Sequence, residues 1–183
     1  MKTISELLEE ATARAVPVVR GIDDAQLSGG TPCSEYDVRA LLNHLFSVIG
    51  NFRVLAAKGT SDFSRTEDVV TGDWRGRFDD ETARLVRAWG EPGAEEGTTG
   101  GMAMPARTVG LMVLGDLTVH AWDLARATDG DTELDGELVT AALVFAEQLP
   151  EDGVPGLFDP PLDVSAAADP QTRLLARFGR KAT

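Results

Sequence analysis

One stretch of this chain, residues 105–127, is apolar on almost every side of a helix. It reads PARTVGLMVLGDLTVHAWDLARA, which is long enough for about six helical turns. A helix with apolar residues all round is buried on all sides, and in a helical protein that place is the centre of a bundle. The stretch therefore predicts an all-α fold organised around this helix.

Four further segments carry apolar residues at helical spacing. The second of them has the clearest start, because Ser34 as N-cap with Asp37 three residues later resembles a capping box. Pro17 falls late in the first segment and predicts that this helix kinks or ends there. The segments are residues 4–19, 34–59, 74–89 and 134–148.

The connections between these segments are polar or rich in glycine and proline. Residues 59–75 predict a polar crossover, residues 90–101 a loop of Gly, Glu and Thr, and a Pro-rich tail closes with the amphipathic piece 171–178. No pattern typical of strands is present, and 183 residues suit one domain. We expect residues 1–183 to form a single all-α domain, a four-helix bundle with an additional helix and a C-terminal Pro-rich tail packed over it.

Charge and composition exclude several classes of function. The chain has 17 Lys and Arg against 30 Asp and Glu, a net charge of −13, whereas a nucleic-acid-binding protein needs a basic surface. The single cysteine, Cys33, excludes a disulfide framework and a zinc site of several thiolates. No apolar run reaches the ~18–20 residues of a membrane span, and the N-terminus does not read as a signal peptide. We expect a cytoplasmic protein that binds neither nucleic acid nor membrane.

The two histidines, His44 and His120, both lie in predicted helices. Asp116 and His120 are four residues apart, so their side chains fall on one helix face, and His44 lies at the edge of the apolar stripe of the second helix. Together the three would give two nitrogens and one oxygen, a ligand set that suits zinc or a similar divalent ion with a position left open. Asp123 is a candidate acceptor for an imidazole N–H, or an extra ligand.

The same residues also have a simpler interpretation. An Asp and a His at this spacing occur by chance, and a buried histidine can be satisfied by hydrogen bonds within a core. Asp116 lies in an otherwise apolar helix, where a carboxylate is costly unless it is paired or bound to a cation. A salt bridge would meet that need as well as a metal, and the candidate arginines are Arg39, Arg53 and Arg126.

Cys33 precedes the predicted N-cap, where a helix dipole could lower the pKa of its thiol. The sequence shows no triad-like order that would pair it with a histidine. We interpret Cys33 as a small, half-buried loop residue.

Three stretches of the chain are similar to segments of one known family. They are residues 31–45 (TPCSEYDVRALLNHL), residues 116–127 (DLTVHAWDLARA) and residues 170–180 (PQTRLLARFGR). The first resembles the second-helix pattern of the DinB-like superfamily, and more narrowly of its actinobacterial branch related to mycothiol-dependent maleylpyruvate isomerase. The second resembles the fourth-helix motif, which usually has Glu where this chain has Asp116, and the third resembles the ending of that branch. The resemblance covers essentially the whole chain.

This resemblance implies a four-helix bundle that binds a divalent metal, most often Zn²⁺ with Ni²⁺ as the alternative, through His44, Asp116 and His120. In related enzymes the metal binds the thiol of mycothiol and presents a thiolate to an electrophile. The implied activity is that of a thiol-dependent S-transferase or isomerase, with mycothiol as cosubstrate and a small electrophile as substrate. A homodimer is a possible assembly.

Two departures from the family pattern bear on this expectation. Asp116 is one methylene shorter than Glu, so the ion must lie closer to the helix or bind more weakly. We also expect no room in this chain for the additional C-terminal domain of the isomerase itself, an expectation that argues against isomerase activity. Two other functions stay open: a non-catalytic, dimeric metal-binding or stress-related module, and a metal-dependent hydrolase with Asp123 or another acid as base.

Overall fold

A computed structural model describes residues 1–64, 67–100, 103–153 and 160–182. Within these ranges the chain forms six α-helices and no strand, which confirms the all-α prediction. Parts of the predicted crossover (residues 65–66), Gly-rich loop (residue 101) and Pro-rich tail (residues 154–159) lie outside the described residues. The helices are α1 (Ile4–Gly21), α2 (Val38–Ala56), α3 (Trp74–Gly90), α4 (Ala106–Ala127), α5 (Gly136–Ala146) and α6 (Pro170–Arg177).

The first four helices form the predicted four-helix bundle. Helices α1 and α2 each pack against both α3 and α4, so the order around the bundle is α1, α3, α2, α4. Helix α5 packs on the outside of α4 and α1, and α6 packs on α5. None of the helices in the described ranges is long and apolar enough to cross a bilayer.

Helix α4 is the most deeply placed helix, as its sequence predicts. It packs against α1, α2 and α5, and 16 of its 22 residues are buried. Gly110 allows α1 to approach closely, because a Cβ atom there would lie 2.7 Å from Cγ1 of the fully buried Ile4. Polar side chains on α4 therefore need partners inside the bundle more than those of any other helix.

The start of α2 differs from the sequence prediction. The helix begins at Val38 and its N-cap is Asp37, whose carboxylate accepts a hydrogen bond from the Ala40 N–H at 2.7 Å. The first amide groups of the helix donate to the carbonyls of Gly29 and Leu27, because the preceding chain folds back over the helix end. The predicted N-cap, Ser34, lies in an exposed turn upstream.

Helix α1 does not end at Pro17, one of the two outcomes predicted there, but passes through it and continues to Gly21. Proline removes the hydrogen bond to the carbonyl four residues earlier, here that of Ala13. Both Ala13 and Pro17 are exposed, so water can satisfy the carbonyl that has lost its partner.

Candidate metal centre

Three polar side chains of α2 and α4 converge between these two helices. They are His44 from α2, and Asp116 and His120 from successive turns of α4. One ligand atom of each, an imidazole nitrogen or a carboxylate oxygen, lies within 4.8 Å of the other two. The Nε2 atom of His120 is 3.7 Å from Oδ1 of Asp116. The structure thus brings together all three residues that the sequence selected as ligands.

His120 is held in one orientation by Asp123, a turn further along α4. Its Nδ1 atom lies 2.9 Å from Oδ2 of Asp123. An ionised carboxylate can only accept a hydrogen bond, so this contact requires the proton on Nδ1 and leaves the Nε2 lone pair on the side of Asp116 and His44. Metal-binding histidines are commonly oriented in this way by a carboxylate on the other ring nitrogen.

Asp123 has a second partner, Arg180, which was not among the site residues predicted from the sequence. Nη2 of Arg180 lies 2.9 Å from Oδ2 of Asp123, and Nε lies 3.3 Å from both carboxylate oxygens. Both side chains are buried, with Asp123 wholly inaccessible and Arg180 8% exposed. No helical or strand spacing relates positions 123 and 180. The only signal was the place of Arg180 within the stretch 170–180 that resembles the family ending.

The salt bridges considered for Asp116 are not formed by the arginines that the sequence suggested. Arg39 pairs with Asp68 at 3.0 Å, and Arg53 pairs with Glu81 at 2.5 Å. Arg126 is exposed near the end of α4. Among the residues that the structure describes, the ionisable partner found within 4 Å of Asp116 is His120.

Burial lowers the pKa of His44 below its ordinary value of 6.5. The carboxylate of Asp116 opposes this shift, whereas the neighbouring His120 and Arg180 act in the same direction as burial. His44 is therefore held as a neutral imidazole at neutral pH. A neutral imidazole is the form that a metal ion requires, because the ligand lone pair must be free.

Cys33 lies beside the same cluster, with its Sγ atom within 4.8 Å of a nitrogen of His120 and an oxygen of Asp123. Burial raises the pKa of this thiol, and the charge of Arg180 only partly opposes the rise. The possible lowering of the thiol pKa by a helix dipole is not found, because α2 begins at Val38 and the thiol does not adjoin the helix end. A cation on these three residues is disfavoured, since a guanidinium already lies against Asp123.

The set of His44, Asp116 and His120 fits a divalent metal ion. Ligands at ~2.0–2.2 Å from a tetrahedral ion lie about 3.4 Å from one another, close to the 3.7 Å between His120 and Asp116. Two imidazoles and one carboxylate are the ligands of open zinc sites, which keep a position for water or substrate. The arrangement is therefore suited to chemistry at the ion and not to a closed structural site.

Comparison with known proteins found one matching family model and similar mycobacterial proteins. The sequence model of the mycothiol maleylpyruvate isomerase N-terminal domain matches residues 8–125, a range that includes the whole cluster and Asp123 but not Arg180. Two relatives from Mycobacterium tuberculosis, the uncharacterized proteins MT0763 of strain CDC 1551 and Rv0738 of strain H37Rv, are each 33% identical over 133 residues. The alignment covers 68% of this chain, and the chain spans about 66% of the length of each relative. No solved structure matches the chain significantly.

Proposed function

The chain belongs to the mycothiol maleylpyruvate isomerase N-terminal domain family, and from that membership we propose that it is a metal-dependent, mycothiol-dependent transferase acting on a small electrophile. Membership indicates a mycothiol-related, metal-dependent function. The transferase proposal is supported by one observation in particular, the convergence of His44, Asp116 and His120 between α2 and α4. Zn²⁺ is the ion that this donor set favours, with Ni²⁺ as the alternative.

Each of these residues has a separate task in the proposed site. His44 offers a neutral nitrogen donor, and Asp123 keeps the Nε2 atom of His120 directed at the site. Asp116 supplies one negative charge, so a divalent ion would retain a net positive charge that attracts an anionic sulfur. A bound divalent ion lowers the pKa of a thiol and makes a nucleophilic thiolate available at neutral pH.

The proposal includes the setting in which the site acts. We propose that residues 1–183 form one domain that works in the cytoplasm with a small-molecule thiol and an electrophilic substrate as partners, and that a homodimer is compatible with this role. A hydrolase that uses Asp123 as base finds no support in the geometry. That carboxylate is inaccessible and accepts hydrogen bonds from both His120 and Arg180.

Metal analysis of untagged protein, purified without nickel resin, is the first test. We expect a stoichiometric divalent metal in the wild type and in the control Arg126→Ala, whose side chain is exposed on the same helix, and its loss in His120→Ala. A wild-type protein that binds no metal at stoichiometry would rule out the proposed function.

A conjugation assay with mycothiol and a generic aromatic electrophile then separates the activities. Turnover that requires both metal and thiol supports the transferase. Turnover by water alone indicates a hydrolase, and stoichiometric metal without turnover indicates a non-catalytic module.

A further inference from the structure

We propose that Arg180 is a positioning residue of the metal centre, which acts through Asp123 to fix the orientation and tautomer of His120. This inference rests on the proposed metal-binding function, because the orientation it explains is the one that a metal ion needs. It extends the site beyond α2 and α4 to the segment that follows α6.

The turn at the end of α6 directs Arg180 back towards the bundle. Gly179 has φ +76°, a left-handed conformation that favours glycine. Its N–H donates to the Ala176 carbonyl, and the Arg180 N–H donates to the Leu175 carbonyl at 2.8 Å. This pair of bonds is the Schellman arrangement that ends a helix and reverses the chain. The sequence Phe-Gly-Arg therefore encodes both the stop of α6 and the return of Arg180.

The ring of Phe178 holds this returning segment against α4. The buried ring of Phe178 packs so close to Gly115 that a Cβ atom there would lie 3.2 Å from its Cζ atom. Nη1 of Arg180 donates to the Phe178 carbonyl at 2.5 Å, which fixes the guanidinium relative to the ring. The guanidinium is thus placed by packing as well as by its ion pair.

The hydrogen bonds on Asp123 connect Arg180 to His120. Oδ2 of Asp123 lies 2.9 Å from both Nδ1 of His120 and Nη2 of Arg180. The carboxylate cannot rotate without weakening both bonds at once. Arg180 therefore sets the position of the oxygen that holds the Nδ1 proton of His120, and with it the direction of the Nε2 lone pair.

A purely stabilising role explains this arrangement less well. A buried ion pair contributes little net stability compared with a well-packed apolar pair, because both charges lose their hydration. Arg180 and Asp123 are nevertheless buried together, and the carboxylate also contacts a histidine of the cluster. The ion pair orients that histidine through a hydrogen bond, and an apolar pair at the same positions could not.

The first test measures the imidazole nitrogens of the metal-free protein by NMR after labelling with ¹⁵N-histidine. The chain has two histidines, so each signal can be assigned with the His44→Ala variant. We expect His120 in the Nδ1–H tautomer in the wild type and a mixture of tautomers in Arg180→Gln. Arg180→Lys should restore part of the wild-type signal, since it returns the charge without the planar fork.

The second test measures Zn²⁺ affinity by competition with a chelator. Loss of a partner behind a metal ligand typically lowers affinity by about 10–100-fold, and we expect that range for Arg180→Gln. Arg173→Gln is the matched control, because Arg173 lies on α6, just before the segment that carries Arg180, and pairs with Glu147 away from the cluster. Its affinity should equal that of the wild type.

A folded Arg180→Gln protein with the wild-type tautomer and wild-type affinity would overturn the proposal. If that variant does not fold, hydrogen exchange of the wild type decides the question. Zn²⁺ should then slow exchange of the Gly179 and Arg180 amides, because coupling between two sites is reciprocal. Unchanged exchange at these amides in the metal-bound protein would also overturn it. If the wild type binds no metal, the proposed function fails, while the NMR comparison still tests the role of Arg180.

Discussion

The phenol ring of Tyr36 stacks on the imidazole of His44, with ring centroids 5.2 Å apart and ring planes at 26°. Tyr36 belongs to the turn before α2 and His44 to the second turn of that helix, so the contact joins the turn to the helix. The phenol covers one face of the imidazole and shields it from water. Burial of His44 is the main cause of its lowered pKa.

The lowered pKa of His44 predicts a loss of stability on acidification. Below the unfolded value of 6.5 the unfolded chain takes up a proton that folded His44 still resists, so the unfolded state is favoured as pH falls towards the folded pKa. Above that value both states are neutral and the contribution is fully present. Urea unfolding of the metal-free protein at about pH 7.5 and 5.5 should show a larger loss of stability in the wild type than in His44→Asn. Equal losses in the two proteins would contradict the prediction.

The length and charge of the side chain at position 116 predict the effect of two substitutions on metal affinity. Asp116→Asn keeps the size and removes the charge, and we expect Zn²⁺ affinity to fall by at least about 10-fold. In the wild type, Oδ1 of Asp116 lies 3.7 Å from Nε2 of His120. Asp116→Glu keeps the charge and lengthens the side chain by one methylene, so Zn²⁺ affinity should stay equal or rise. Calorimetric titration measures both, and wild-type affinity in Asp116→Asn would exclude this carboxylate as a ligand.

The N-cap of α2 predicts unequal effects at two neighbouring polar residues. Asp37→Ala removes the side-chain acceptor of the Ala40 N–H and should lower the free energy of unfolding by about 0.5–2 kcal/mol. Ser34→Ala, in the exposed turn, should change it by less than about 0.5 kcal/mol. Denaturant titration distinguishes them, and the opposite order would restore Ser34 as the cap.

Replacing two helical glycines with alanine should change the free energy of unfolding in opposite directions. In Gly110→Ala the new methyl group would lie 2.7–3.0 Å from three side-chain carbons of Ile4, and we expect a loss of about 1–3 kcal/mol. In Gly50→Ala nothing lies within 4 Å of the new group, so better helix propensity should add up to about 1 kcal/mol. Thermal unfolding of the two variants compares them directly. A stabilised Gly110→Ala protein would mean that α1 and α4 pack less closely than described.

The bundle was predictable from sequence because its signals are local. The apolar character of α4 and the helical spacing of the other segments depend on residues a few positions apart. The error at Ser34 arose because the choice of cap depends on Leu27 and Gly29, whose carbonyls bind the first amides of α2. Such a contact follows from how the chain folds back and has no fixed sequence spacing.

The residues of the candidate site also fall into two groups, those that could be predicted from the sequence and those that could not. Asp116, His120 and Asp123 share one face of one helix, so their proximity follows from helical periodicity alone. The place of His44 at the edge of the second stripe was also readable, although its approach to α4 required the bundle. Arg180 and Cys33 reach the cluster from loops, and only the folded chain brings them there.

The burial of these side chains determines how a substrate can approach them. Asp123, Arg180 and Cys33 are buried, whereas Tyr36, His44 and Asp116 each keep part of their surface in water. In the proposed function, a thiol or an electrophile would therefore approach from the side of Tyr36, His44 and Asp116, because the Asp123–Arg180 pair is buried. Substitutions at Tyr36 would then change which molecules can reach the site. Substitutions at Asp123 or Arg180 would change the orientation of the His120 imidazole.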